Sequence, residues 1–276
     1  MRRLFRFIIS HAIFIALCAA SLVCQTALLL NFEVSIYLVI FIFFSTLCSY
    51  NFHWLLGSMA TRRQLSTGLI LKQQRSLPFF VLGLAGLILF YIPSGISSIN
   101  LLYAFLLTFI YSIPLMPFKH LAFTRKAGFL KTLLLAFTWT FVTAYIPIQT
   151  AGRIIASEEL LLLLRRFLFM LMLCILFDNR DISTDKIKGL HSLATDLSPG
   201  MMRWLIYGVF ALLFILPVLL GEHGITVKQS LALQLVAVIT LVTYFYSRKK
   251  QGYFFYYFWV DGLMLLSALL TTIASI

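Results

Sequence analysis

Hydrophobic positions run along this chain in long unbroken blocks, and polar residues gather in the short stretches between them. The blocks fall at about 7–30, 34–50, 77–92, 99–117, 129–149, 159–177, 204–220, 230–246 and 254–276. Each is near the roughly 17–25 residues that a helix needs to cross a bilayer. They are rich in Leu, Ile and Phe and lack the alternation of an outer-membrane barrel strand, so helices are the expected spanning elements. The pattern predicts an all-α integral membrane protein of about nine transmembrane helices. The longest polar segment, 51–76, holds only short apolar patches, so residues 1–276 read as a single polytopic membrane domain without a soluble domain.

Composition strengthens that reading. Hydrophobic residues make up 61% and charged residues 11%, where a soluble domain carries about 25% charged residues. The four cysteines, Cys18, Cys24, Cys48 and Cys174, lie inside apolar blocks without a Cys-x-x-Cys pair, which points to packing rather than to disulfides or zinc. The start, Met1-Arg2-Arg3-Leu4-Phe5-Arg6, resembles a signal peptide with Ala19-Ala20-Ser21 as a cleavage region. The apolar block continues to Leu30, too long for an ordinary signal core, and reads as a retained first span.

The chain carries a formal net charge of +13. Its cations are scattered through short loops, which fits membrane lipids with anionic headgroups and the positive-inside rule rather than nucleic acid. The N-terminus (Arg2, Arg3, Arg6) and the stretches after the second (Arg62, Arg63, Lys72, Arg75), fourth (Lys119, Arg125, Lys126, Lys131), sixth (Arg180, Lys186, Lys188, Arg203) and eighth blocks (Arg248, Lys249, Lys250) hold 18 of the 22. Arg153 and Lys228 fall on the other side. A cytoplasmic N-terminus and an outer C-terminus are expected, in a bacterial inner membrane.

Chemistry concentrates just after the sixth block. The stretch from Asp178 to Gly189 holds three of the nine acids, Asp178, Asp181 and Asp185. On a helix these offsets fall within an arc of roughly 60°. Carboxylates so close repel unless a cation lies between them, and Mg²⁺ takes carboxylate oxygen while leaving positions for phosphate. The alternative is a solvated loop neutralised by Arg180, Lys186 and Lys188.

The stretch Asp178-x-x-Asp181-x-x-x-Asp185, followed by Gly189 and Leu193-Ala194, resembles the second aspartate motif of the UbiA superfamily of intramembrane prenyltransferases. Tyr111-Ser112-Ile113-Pro114-Leu115, with Lys119, Arg125, Lys126 and Gly128 behind it, is similar to another feature of that family. The resemblance implies a UbiA-like bundle around a central cavity, in which Mg²⁺ held by Asp178, Asp181 and Asp185 binds a prenyl diphosphate. An isoprenyl group is then transferred to an aromatic or lipophilic acceptor.

The family's first motif, Asn-Asp-x-x-Asp-x-x-x-Asp, meets Asn51-Phe52-His53-Trp54-Leu55 and, further on, Met59, so only its Asn is kept. Fewer ions, and reduced or lost activity, are implied. The substrate-binding set expected on this resemblance is Asn51, His53, Arg62, Arg75, Tyr111, Lys119, Arg125, Lys126 and Lys188. Each also has a plainer reading, the cations as topology signals and His53 as an interfacial residue beside Trp54. Two functions of other classes stay open: a non-catalytic isoprenoid- or partner-binding protein of the same fold, and a small transporter. A CDP-alcohol transferase is excluded, because no Asp-Gly-x-x-Ala-Arg precedes Asp178.

Three charges fall deep within apolar blocks, away from their first residues. Arg165 and Arg166 should snorkel outward or meet an internal partner, unless 158–164 lies flat on the outer surface and the sixth span begins near Arg165. Asp261 should face the bundle interior and meet a basic or hydroxyl group. The aromatic run Tyr253 to Trp259 reads first as an interfacial belt and second as a wall that stabilises a carbocation.

Overall fold

The computed structural model describes residues 7–60, 67–112, 128–188, 192–222 and 224–276, with side chains described for 7–56, 76–112, 129–182, 192–222 and 224–276. Helices make up almost all of these residues, and no strand occurs among them. In chain order they are α1 (Ile13–Leu29), α2 (Ile36–Ala60), α3 (Thr67–Ser94), α4 (Ser98–Ser112), α5 (Gly128–Thr140), α6 (Ser157–Lys188), the short α7 (Leu193–Asp196), α8 (Pro199–Gly221), α9 (Val227–Ser247) and α10 (Asp261–Ile273). A π-helical turn, Phe141–Tyr145, carries α5 on into Ile146–Thr150, and another, Phe255–Val260, leads into α10.

Seven of these rods are long and apolar enough to cross a membrane, and α1 and α4 are shorter apolar helices of 17 and 15 residues. The first block differs from the expected single span. It breaks at His11 and Ala12, where Ala12 takes φ 63°, and α1 starts only at Ile13. The segment 51–76, read as a polar loop, is largely helical, because α2 runs to Ala60 and α3 starts at Thr67. Likewise α6 runs eleven residues past its apolar block, since no glycine or proline interrupts 153–188. The aspartate stretch is therefore helical rather than a loop, and 158–164 belongs to the same continuous rod.

Close packing explains the α2–α3 pair. A Cβ added at Gly83 would lie 2.7 Å from the Cys48 amide nitrogen, and one at Gly86 would overlap the Phe44 ring. Small residues let two backbones approach where lipid supplies no hydrophobic drive between helices. The core is filled by α1 and α6 residues such as Leu22, Phe169, Met172 and Ile175. At the Ser157 end, Arg153 ties two helices together. It donates to Glu158, to Glu159 Oε1 at 2.8 Å and to the Leu30 carbonyl at 2.8 Å, so the end of α1 is fastened to the first turn of α6. Ser198 caps α8, and a reciprocal Thr226–Gln229 capping box starts α9.

Candidate functional site

The far end of α6 is where the polar side chains converge. Asp178 accepts a 2.6 Å hydrogen bond from Thr132 Oγ1, which brings the start of α5 against α6. Next to Thr132, Lys131 places its ammonium 5.7 Å from the centre of the Tyr111 ring on α4. The Tyr111 ring meets His53 of α2 edge to face at 5.1 Å. Lys131, Asp178 and Asp181 all lie within electrostatic reach of the Tyr111 hydroxyl. Four helices thus deliver carboxylate, ammonium, phenol and imidazole to one end of the bundle.

Asp181 is engaged differently. Arg180 forks onto it, with Nε to Oδ1 at 2.8 Å and Nη2 to Oδ2 at 2.7 Å. The same guanidinium sits 5.0, 5.3 and 5.0 Å from the ring centres of Phe177, Tyr256 and Tyr257, a geometry in which cation and ring faces attract. Its Nη1 is buried without a hydrogen-bond partner among the described residues. Hence the aromatic run divides. Tyr256 is buried and, with Tyr257, encloses Arg180, while Tyr253, Phe254, Phe258 and Trp259 are exposed like a belt.

Asn51 has another occupation. It is fully buried, and its Nδ2 donates to the His11 carbonyl at 3.1 Å and to the Leu47 carbonyl at 2.8 Å. It thereby satisfies the carbonyl beside the break that precedes α1. Its Oδ1 is buried without a hydrogen-bond partner among the described residues. Arg62, Lys119, Arg125 and Lys126 lie outside the described residues, as does Gly189, and Asp185, Arg75 and Lys188 lie on helices with side chains outside them. Among the described residues no group of three metal-binding side chains assembles.

The charges within the blocks are inside the bundle. Asp261 is buried at 7% exposure. It makes no hydrogen bond or ion pair with a described residue, in contrast to the expected basic or hydroxyl partner, although the Arg180 charge is within electrostatic reach. Cys174, one turn before Asp178 on α6, lies within electrostatic reach of both Asp178 and Asp261. Arg165 and Arg166 do not snorkel. They are 1% and 0% exposed.

The contacts of Thr132, Lys131 and Arg180 escaped the sequence. Thr132 carries no motif, and Lys131 and Arg180 registered only as topology signals or loop charges. The Tyr256–Tyr257 pair was visible as a run, without the cation that it encloses. A separate groove of about 340 Å³ runs between α9 and the π-helical turn, lined by Val238, Val242, Thr243, Tyr246, Phe255 and Trp259. Trp259 Nε1 donates to Thr243 Oγ1 across it.

No family model and no curated protein matches the sequence. Two solved structures are similar in fold. One is a UbiA homolog from Archaeoglobus fulgidus, 12% identical, with a TM-score of 0.64 over 98% of each chain. The other is a structure described for digeranylgeranylglyceryl phosphate synthase in membranes, 14% identical, with a TM-score of 0.55 over 100% of this chain and 99% of that one. Across its whole length, the chain has the helical fold of the UbiA-type membrane proteins.

Proposed function

We propose that the protein transfers an isoprenyl group from a prenyl diphosphate to an aromatic or other lipophilic acceptor. The observation that carries this reading is the meeting of Asp178 and Asp181 with Lys131, Arg180, Tyr111 and His53 at one end of a UbiA-type bundle. That end is the cytoplasmic one if the loop cations are read by the positive-inside rule, and soluble phosphorylated compounds are found there.

A diphosphate needs counter-charge and directed donors. Lys131 offers a point charge and Arg180 a planar fork suited to phosphate. Thr132 orients Asp178, and Tyr111 and His53 add polar groups at the side facing α2 and α4. Carboxylate oxygen is a fitting donor for Mg²⁺, so Asp178, Asp181 and Asp185 would hold it, and Asp181 would have to leave Arg180 to take part. When bound, the ion neutralises charge on the departing diphosphate, a contribution of several kcal/mol. The stretch at 51–59 supplies no carboxylate, and Asn51 is committed to backbone carbonyls, which favours fewer ions than a two-cluster site. The isoprenoid tail would lie among the apolar helices.

The Arg180–Asp181 fork also favours a second reading, a protein that binds a prenyl diphosphate or another lipid without turnover. The two separate on one experiment. Purified protein in lipid is given a labelled prenyl diphosphate, Mg²⁺ and a panel of lipophilic acceptors. Mg²⁺-dependent product that is lost in Asp181→Asn supports the transferase. Donor binding without product supports the binder, and neither binding nor product removes both.

A further inference from the structure

We infer that Arg165 and Arg166 form a binding site for a small monovalent anion, chloride being the plainest, inside the bundle and away from the aspartate end. An arginine stays protonated at any physiological pH. An uncompensated one inside a membrane costs at least about 2.5–3.5 kcal/mol. These two are consecutive on α6, about 12 Å in from Ser157 and about 20 Å from Asp178 along the axis. Neither appears in any ion pair among the described residues.

The chain's acids do not supply the missing charge: Glu33, Asp196 and Glu222 are exposed at the surface. Glu158 and Glu159 are both taken by Arg153. Asp178 and Asp181 are held by Thr132 and Arg180, and Asp185 is roughly 29 Å further along the same helix. Asp261 makes no ion pair among the described residues, and its charged neighbour is Arg180.

The two guanidiniums are also provided for unequally. Arg166 donates to the Leu22 carbonyl at 3.2 and 3.3 Å, to Thr143 Oγ1 at 3.2 Å, to Gln25 Oε1 at 3.0 Å and to Thr26 Oγ1 at 3.2 Å. All of these acceptors are neutral, and Thr143 belongs to a π-helical turn, a local distortion frequent at functional sites. Arg165 is 1% exposed, and its Nε and Nη1 have no hydrogen-bond partner among the described residues. Two buried positive charges with idle donors call for negative charge. In so closed a surrounding a halide asks for the least rearrangement, where a diphosphate or an organic carboxylate would need far more room. The site does not depend on the prenyl-transfer reading.

The test is the melting temperature of the purified full chain as gluconate is replaced by chloride at constant ionic strength, which holds screening fixed. The wild-type Tm should rise and saturate, by about 3–5 °C at ten times the half-saturating concentration. Arg165→Met, which keeps the apolar stem and removes the charge, should show no dependence. Added diphosphate with Mg²⁺ should leave the chloride midpoint unmoved. A flat wild-type response overturns the site, as does a chloride response kept in Arg165→Met or a midpoint that diphosphate shifts. Should Arg165→Met fail to fold, bromide in crystals of the wild-type chain decides: an anomalous peak within hydrogen-bonding distance of Arg165 supports the site, and its absence there overturns it.

Discussion

Arg180 holds its own neighbour: its guanidinium forks onto both carboxylate oxygens of Asp181 at 2.7 and 2.8 Å, while Phe177, Tyr256 and Tyr257 enclose its faces. Exposed pairs of this kind contribute little. This one is half-buried and held by three rings, so it positions a cation and an acid together. Arg180→Gln should weaken binding of inorganic diphosphate about tenfold or more, the loss of a charge-assisted hydrogen bond. Arg180→Lys should restore only part of it, because an ammonium cannot fork. Calorimetric titration reads both, and unchanged affinity in Arg180→Gln would remove Arg180 from the site.

In the proposed site, Thr132 acts through Asp178. Replacing it with valine keeps the shape and removes the 2.6 Å hydrogen bond. Losing a group that orients a ligand typically costs about 10–100-fold in metal affinity or activity. The Mg²⁺ dependence of diphosphate binding should shift by that range while the melting temperature moves little.

Asn51 should behave as a structural residue. Asn51→Leu leaves the His11 carbonyl without its donor at the helix break, and an unsatisfied buried group costs about 1–3 kcal/mol. The expected result is a Tm lowered by several degrees with donor affinity retained. Loss of affinity at unchanged Tm would instead put Asn51 in the site.

The α2–α3 seam has no room for side chains at two positions. Gly83→Ala and Gly86→Val should each force the helices apart, since their added carbons meet the Cys48 backbone and the Phe44 ring. Overpacking costs about 1–3 kcal/mol, and backbone cannot yield as a side chain can. Thermal unfolding should show a clear loss for both, whereas Gly208→Ala, with nothing within 4 Å, serves as the neutral control.

Asp261 is an interior acid without a hydrogen-bond partner among the described residues, and intramembrane acids are kept for function more often than for stability. Asp261→Asn should leave Tm unchanged or raised and lower prenyl transfer. A lowered Tm with transfer intact would make it a structural residue.

The sequence alone determined the class of molecule. Block length and the scarcity of charge leave helices in lipid as the expected answer, because the backbone must satisfy its own hydrogen bonds there. The i, i+3, i+7 spacing likewise put Asp178, Asp181 and Asp185 on one face as soon as that stretch proved helical. Only the tertiary structure decided which partners those acids meet. Thr132, Lys131 and Tyr256 come from α5 and the turn before α10, far along the chain from α6, and no local pattern encodes such contacts. The helix break at His11 and Ala12 was hidden because hydropathy does not record φ. Arg166 was a puzzle in one dimension because its five bonds run to α1 and to a π-helical turn that only packing brings beside it.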